Sequence, residues 1–207
     1  AAALATLAAS CAFAAKAPTR RPNLLLIVTD DQRWDSLGCT GAPHLRTPCL
    51  DQLAHDGVRF DNAFVTTAIC AASRASILTG QYEGTHGFTF GTPPLGDAHV
   101  AISYPTLLKQ AGYRTGFVGK FLNGYGPHDV RPSGWTRWDA LTRGVYDYVD
   151  FSMTGDGDPK RYTDSYITTV IEDRTNQDVR DFSESGDPFV VYAWHLAPHY
   201  RITPGGG

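Results

Sequence analysis

A layered α/β fold, with a mostly parallel sheet flanked by helices, is the class this sequence predicts, and three observations carry it. Short aliphatic runs without polar alternation, such as Leu24-Leu25-Leu26-Ile27-Val28, read as strands buried on both faces. Such runs alternate along the chain with helical patterns, the arrangement that builds a parallel sheet. The residues able to do chemistry fall just beyond strand ends, where open α/β sheets gather their ligands.

The first run is bounded by Pro22 and by the acid pair Asp30-Asp31. Two adjacent carboxylates repel unless water or a cation separates them, and hard oxygen donors suit Ca²⁺ or Mg²⁺. Taken alone, the pair also fits a solvated turn. Thr47-Pro48 then opens a helix, with Thr47 as N-cap, Pro48 at the first helical position and Gly57 as its stop. Leu50, Leu53 and Ala54 share one of its faces. Val58 to Phe64 reads as a short strand.

The segment Cys70-Ala71-Ala72-Ser73-Arg74-Ala75-Ser76-Ile77-Leu78-Thr79-Gly80 is the most informative. Ser73 to Thr79 predicts a short helix stopped by Gly80, which puts Cys70 just before its N-terminus. Unpaired N–H groups there favour an anion and lower a thiol pKa. Arg74, one turn on, presents a planar fork suited to a sulfate or phosphate. An isolated cysteine is also commonly a small buried hydrophobe.

Thr106 to Gln110 reads as a helix end, Gly112 as its stop and Tyr113 to Val118 as the next strand, with Lys120 just past it. A loop lysine by itself is usually only solvated. Residues 121–160, rich in Gly, Pro, Asp and aromatics, read as long loops beside a pocket. Tyr162 to Asp173 is amphipathic, with Tyr166, Ile167, Val170 and Ile171 inward. A last buried strand pattern, Pro188 to His195, leads into Leu196-Ala197-Pro198-His199. His195 reads as a hydrogen-bonded structural histidine.

At 207 residues the chain can bury a real core, and its 12% aromatic content and net charge of −3 are those of a globular domain. No basic face stands out, so nucleic-acid binding has no support. Residues 1–17 are Ala-rich and close on Ala15-Lys16-Ala17, the pattern of a signal-peptide remnant, too short for a transmembrane segment. Residues 18–21 link it to a domain at 22–207. That leader points to the secretory pathway, whether extracellular, periplasmic or lysosomal, where Cys39 and Cys49 could pair or stay free.

The Cys70–Gly80 segment resembles the sulfatase signature, Cys-x-Pro-Ser-Arg followed by Leu-Thr-Gly. From Pro22 to His199 the chain is similar to the sulfatases of the alkaline-phosphatase-like superfamily. Gly119-Lys120-Phe121-Leu122-Asn123-Gly124-Tyr125 looks like the Gly-Lys-Tyr-Leu-Asn-x-Tyr of N-acetylglucosamine-6-sulfatases and extracellular heparan sulfatases, and Pro132-Ser133-Gly134-Trp135 like their Pro-x-Gly-Trp.

The resemblance implies a sulfuric ester hydrolase acting on a sulfated carbohydrate of the glucosamine-6-sulfate kind. Cys70 would be oxidised by the formylglycine-generating enzyme to 3-oxoalanine (formylglycine), the nucleophile, with Arg74 as its catalytic neighbour. Asp30, Asp31 and the converted Cys70 would ligate one Ca²⁺. Lys120 and His199 would contact the sulfate, and Asn123 would hydrogen-bond substrate or nucleophile. Two positions depart from the family pattern: Ala72 replaces the signature proline, and Leu122 stands where many sulfatases have a catalytic histidine. The family's further Asp-Asn metal pair and second lysine lie downstream of the counterpart of His199. The chain therefore reads as the N-terminal portion of a sulfatase catalytic domain, its C-terminal part missing. Two alternatives stand beside this reading. One is an inactive sulfated-glycan-binding fragment; the other is a phosphatase or phosphodiesterase of the same superfamily, against which Cys70 and Arg74 argue.

Overall fold

The computed structural model describes residues 21–90, 95–155 and 159–202. The leader-like stretch 1–17 and most of the linker lie outside the described residues. Six strands form one sheet in the order β1-β6-β2-β3-β4-β5: β1 is Leu24–Val28, β2 Arg114–Gly119, β3 Arg137–Arg143, β4 Phe151–Met153, β5 Lys160–Tyr162 and β6 Phe189–Trp194. The β1/β6, β6/β2 and β2/β3 pairs are parallel, while β3/β4 and β4/β5 are antiparallel. The layered, mostly parallel α/β architecture expected from the sequence is therefore present.

Strand alternation splits the core into two layers. Phe117, Tyr192 and Trp194 point to one face, where they meet Trp135, Trp138 and the small residues Ala71 and Ala75 of α2 (Cys70–Thr79). Phe117 lies at the centre of an aromatic cluster, 4.6 Å from the Trp138 ring and 5.4 Å from that of Trp194. Val118, Leu141 and Ala193 point to the other face, against Ile167, Val170 and Ile171 of α6 (Ile167–Ser185). Helix α1 (Pro48–Asp56), the short α3 (Glu83–His86) and α4 (Asp97–Ala101), and α5 (Tyr104–Gln110) complete the helices.

Register places the site. Trp194 is level with Val28 of β1 and with Gly119 of β2, so three parallel strands end together. The residues that follow them, Asp30, Lys120 and His195, emerge side by side. Gly119 takes φ 114°, and a Cβ there would stand 2.0 Å from the Trp194 carbonyl oxygen, so only glycine lets β2 turn at this point.

Several local expectations are corrected. Val58 to Phe64 forms no strand: a strand needs a ladder partner, and this segment pairs with none of the six strands. Its Val58, Phe60 and Phe64 are exposed. Residues 121–160 are not all loop, because β3, β4 and the first residue of β5 fall among them. The helix expected at 162–173 begins at Ile167 and runs to Ser185, with Tyr162 in β5 and Tyr166 half-exposed at the N-cap, stacked on Tyr148. Helix α2 begins at Cys70 itself, with Ile69 as N-cap, rather than at Ser73. Cys39 and Cys49 are free thiols.

Candidate active site

Helix α2 reaches the strand ends because it is built of small residues: Ala71, Ala72 and Ala75 are fully buried against the sheet. Its first internal backbone bond runs from the Ser73 N–H to the Ile69 carbonyl, and no side chain caps it. The N–H groups of the first turn thus have no intrahelical partner and face the cleft end of the helix. Ala72 lies in that turn, where alanine and proline suit the same backbone because its N–H makes no helical bond.

A cleft of about 410 Å³ opens here, lined by Asp30, Asp31, Cys70, Ser73 and Arg74 among others. Larger hollows exist elsewhere, but this one gathers the charged groups. Arg74 is 2% exposed and stitches helix to strands: Nη1 donates to the Lys120 carbonyl at 2.6 Å and Nη2 to the His195 carbonyl at 3.3 Å. Its guanidinium stacks 4.9 Å from the Trp194 ring centroid and lies 3.6 Å from Asp30 Oδ2. Burial pulls its pKa below the ordinary value and Asp30 pulls it back, yet a guanidinium stays charged throughout the working pH range.

Lys120, far from being a solvated loop lysine, is 2% exposed, and its Nζ donates to Asp30 Oδ2 at 2.5 Å. Asp30 is itself buried between these two cations, its N–H donating to the Ala197 carbonyl. Asp31 is different: exposed, in the left-handed region at φ 56°, with Oδ2 3.3 Å from His199 Nε2. That conformation costs a non-glycine residue energy, least for Asn and Asp, and it turns two neighbouring carboxylates in different directions.

His199 is buried beyond the cis Ala197–Pro198 bond. Its Nδ1 sits 2.6 Å from the Tyr200 carbonyl, which can only accept, so Nδ1 carries a hydrogen and Nε2 is left facing Asp31. His195 turns away: its N–H donates to the Val28 carbonyl, and burial lowers its ring pKa. The Cys70 thiol, half-buried at the cleft, donates to Asn123 Oδ1 at 3.6 Å, and Asn123 Nδ2 donates to the Tyr146 hydroxyl at 2.7 Å.

All seven sequence-derived site residues, Asp30, Asp31, Cys70, Arg74, Lys120, Asn123 and His199, thus lie in one linked set of contacts at the strand ends. Tyr146, which joins Asn123, Lys120 and His199, is absent from the sequence reading. The signal for it was weak, a Tyr146-Asp147-Tyr148 run inside an aromatic-rich loop region. As donors for a metal, Asp30 and Asp31 offer hard carboxylate oxygens, but Ca²⁺ takes roughly six to eight ligands. No third His, Cys, Asp or Glu gathers with them among the described residues. Two carboxylates turned in different directions supply at most a part of such a shell.

Comparison with known proteins gives a consistent result. The sulfatase family model matches residues 22–204. The chain is 35% identical over 205 residues to an N-acetylglucosamine-6-O-sulfatase of Bacteroides thetaiotaomicron, covering 95% of this chain and 34% of that protein. It is 31% identical over 207 residues to the human N-acetylglucosamine-6-sulfatase, covering 92% and 37% respectively. Among solved structures, one in complex with its substrate D-glucosamine-2-N,6-O-disulfate superposes with a TM-score of 0.75 at 30% identity, over 87% of this chain and 35% of that one. The chain spans about a third of the length of the curated relatives it matches.

Proposed function

Because this chain belongs to the sulfatase family, we propose that it serves to hydrolyse sulfate esters of sugars, with 6-sulfated N-acetylglucosamine as the first substrate to test. The observation that carries this reading is that Arg74, Lys120 and His199 meet the carboxylates at the end of β1, beside a cleft that Asp30, Asp31 and the Asn123-bonded Cys70 line. The relatives named above support the choice of sugar. Conversion by a formylglycine-generating enzyme and a secretory-pathway location go with it.

When present, formylglycine at residue 70 would supply a geminal-diol nucleophile, and Ca²⁺ held in part by Asp30 and Asp31 would supply charge stabilisation. The chain's own side chains do the remainder. Arg74 has donors committed to two carbonyls and acts as a fixed positive charge beneath the cleft. Lys120, at the level of Asp30, neutralises charge growing on the sulfate oxygens. His199, its ring fixed by the Tyr200 carbonyl, presents Nε2 beside Asp31 to the sugar oxygen as it leaves. Asn123 presents an acceptor to the nucleophile.

The test is sulfate release from N-acetylglucosamine-6-sulfate by the full-length protein, with mass analysis of the peptide bearing residue 70. An aldehyde at residue 70 is expected, with release falling at least about a thousandfold in Cys70→Ala, as for loss of a covalent nucleophile. Undiminished release by Cys70→Ala would remove the proposal. Binding of the sulfated sugar without turnover would favour a glycan-binding role instead.

A further inference from the structure

Tyr146 lies in the turn between β3 and β4, half-buried, and its side chain touches three of the site residues. Its hydroxyl accepts from Asn123 Nδ2 at 2.7 Å, and its ring carries the Lys120 ammonium 4.3 Å from the centroid. The His199 ring packs against it at 4.8 Å. The turn does not depend on these contacts for its place. Gly144, at φ 65°, lets the chain reverse where a Cβ would stand 2.2 Å from the Asp150 carbonyl oxygen. The Ile202 N–H donates to the Tyr146 carbonyl, Arg201 pairs with Asp147 at 3.0 Å, and the Tyr148 hydroxyl donates to the His199 carbonyl at 2.5 Å.

A carboxamide has a donor end and an acceptor end, and pinning one decides what the other presents. At Asn123 the amino end meets the phenol, so the carbonyl end faces residue 70 and accepts from its thiol. Burial, above all, raises the Tyr146 phenol above its ordinary value, so the group stays a neutral hydroxyl around neutral pH. Without that hydroxyl nothing in these contacts holds the amino end, and the amide is free to turn a donor toward residue 70.

We propose that Tyr146 is a positioning residue: its hydroxyl sets the direction of the Asn123 amide and, through it, the hydrogen-bond polarity met by residue 70. This rests on the reading of residue 70 as the nucleophile. Lys120 and His199 are braced by the ring rather than by the hydroxyl, so Tyr146→Phe spares them. The hydroxyl also lies beside the Cys70 thiol, and the Asn123→Ala background separates that direct contact from the route through the amide.

The experiment is a double-mutant cycle of Tyr146→Phe and Asn123→Ala in the full-length protein, with two readouts. In turnover of N-acetylglucosamine-6-sulfate, each single variant should lose about tenfold to a hundredfold in kcat with KM changed by less than about threefold. The double variant should fall within about twofold of Asn123→Ala. The second readout uses protein in which Cys70 remains a thiol. Iodoacetamide alkylation at fixed pH, followed by mass on the peptide that carries Cys70, should quicken about threefold or more in either single variant, because the S–H loses its acceptor. The two effects should not multiply in the double variant. Multiplying effects in either readout, or a Tyr146→Phe protein indistinguishable from wild type, would overturn the proposal. Absence of sulfate release by the wild-type protein would sink the functional reading alone; the alkylation cycle would still decide whether Tyr146 acts through Asn123.

Discussion

Strands β6 and β1 carry the same kind of sequence and meet different surroundings. Phe189–Trp194 is buried at every position, flanked by β1 and β2 and covered on its faces. Leu24–Val28 pairs with it residue for residue, yet Leu25 is 51% and Ile27 55% exposed, with no strand on the outer edge among the described residues. The same division runs through the molecule. Around β6, β2, β3 and α6 the aromatic rings and the α6 face fill the core. In α1 and residues 58–65, the side chains of Leu53, Val58, Phe60, Phe64 and Val65 are exposed, the first three of them lining a hollow of about 610 Å³. The candidate site straddles the two. Arg74, Lys120 and His199 are anchored in the packed region, while Asp30 and Asp31 sit at the end of the open strand. The difference teaches that an aliphatic run states what a strand is made to bury, whereas burial itself needs a neighbour. It also shows the site's cations fixed by packing and its buried acid, Asp30, fixed by those cations.

Two phenylalanines give this contrast its strongest test. Phe117 is fully buried with four aromatic partners, and Phe117→Ala should cost about 3–5 kcal/mol in urea unfolding, the usual range for emptying a ring from a core. Phe64, 87% exposed, should cost less than about 0.5 kcal/mol when replaced by Ala. Similar costs at the two positions would abolish the distinction between the regions. A smaller loss should follow Gly119→Ala. Its Cβ would meet the Trp194 carbonyl, and its φ of 114° strains any L side chain, so about 2 kcal/mol or more should be lost. A neutral outcome in the same unfolding measurement would mean that the ends of β2 and β6 are held less tightly than their register implies.

How much of this was legible in the sequence divides along the same line. Strand ends carrying chemistry were readable, because Asp30-Asp31, Lys120 and His199 each follow a short segment of strand-like composition, Leu24–Val28, Arg114–Gly119 or Phe189–Trp194. What was not readable depended on contacts distant in the chain. Val58 to Phe64 has strand composition, but composition cannot supply the ladder partner a strand requires, and the segment stays irregular. Helix α6 overran its expected end because Thr175, Asp178 and Phe182 continue the buried face past Asp173. The burial of Lys120 was invisible for a related reason: only the register of β1, β6 and β2 brings Asp30 to its ammonium. Tyr146 was missed because its role comes from three partners at separate points of the chain.

The smallest predicted effect concerns acid, and it too belongs to the packed region. His86 is buried, its Nδ1 accepting from the Phe88 N–H at 3.1 Å while Nε2 lies 3.0 Å from Ser76 Oγ. Nδ1 must therefore be bare, and Nε2 carries the hydrogen. Burial first, then His99 nearby, lowers the His86 pKa; burial likewise lowers that of His195. An unfolded histidine titrates near about 6.5. Between that value and the lower folded one, the unfolded chain binds protons the native chain refuses, so stability rises with pH across this window. The contribution is complete above about pH 6.5 and is lost as pH falls below it. Urea midpoints measured from pH 7.5 downward should therefore decline below about pH 6.5, by less than Phe117→Ala or Gly119→Ala costs. His86→Gln, which cannot take up the proton, should lower the plateau and flatten the decline, because the Phe88 N–H then no longer depends on a neutral imidazole. An equally steep decline in both His86→Gln and His195→Gln would move the acid sensitivity out of the packed region, toward the carboxylates of the open one.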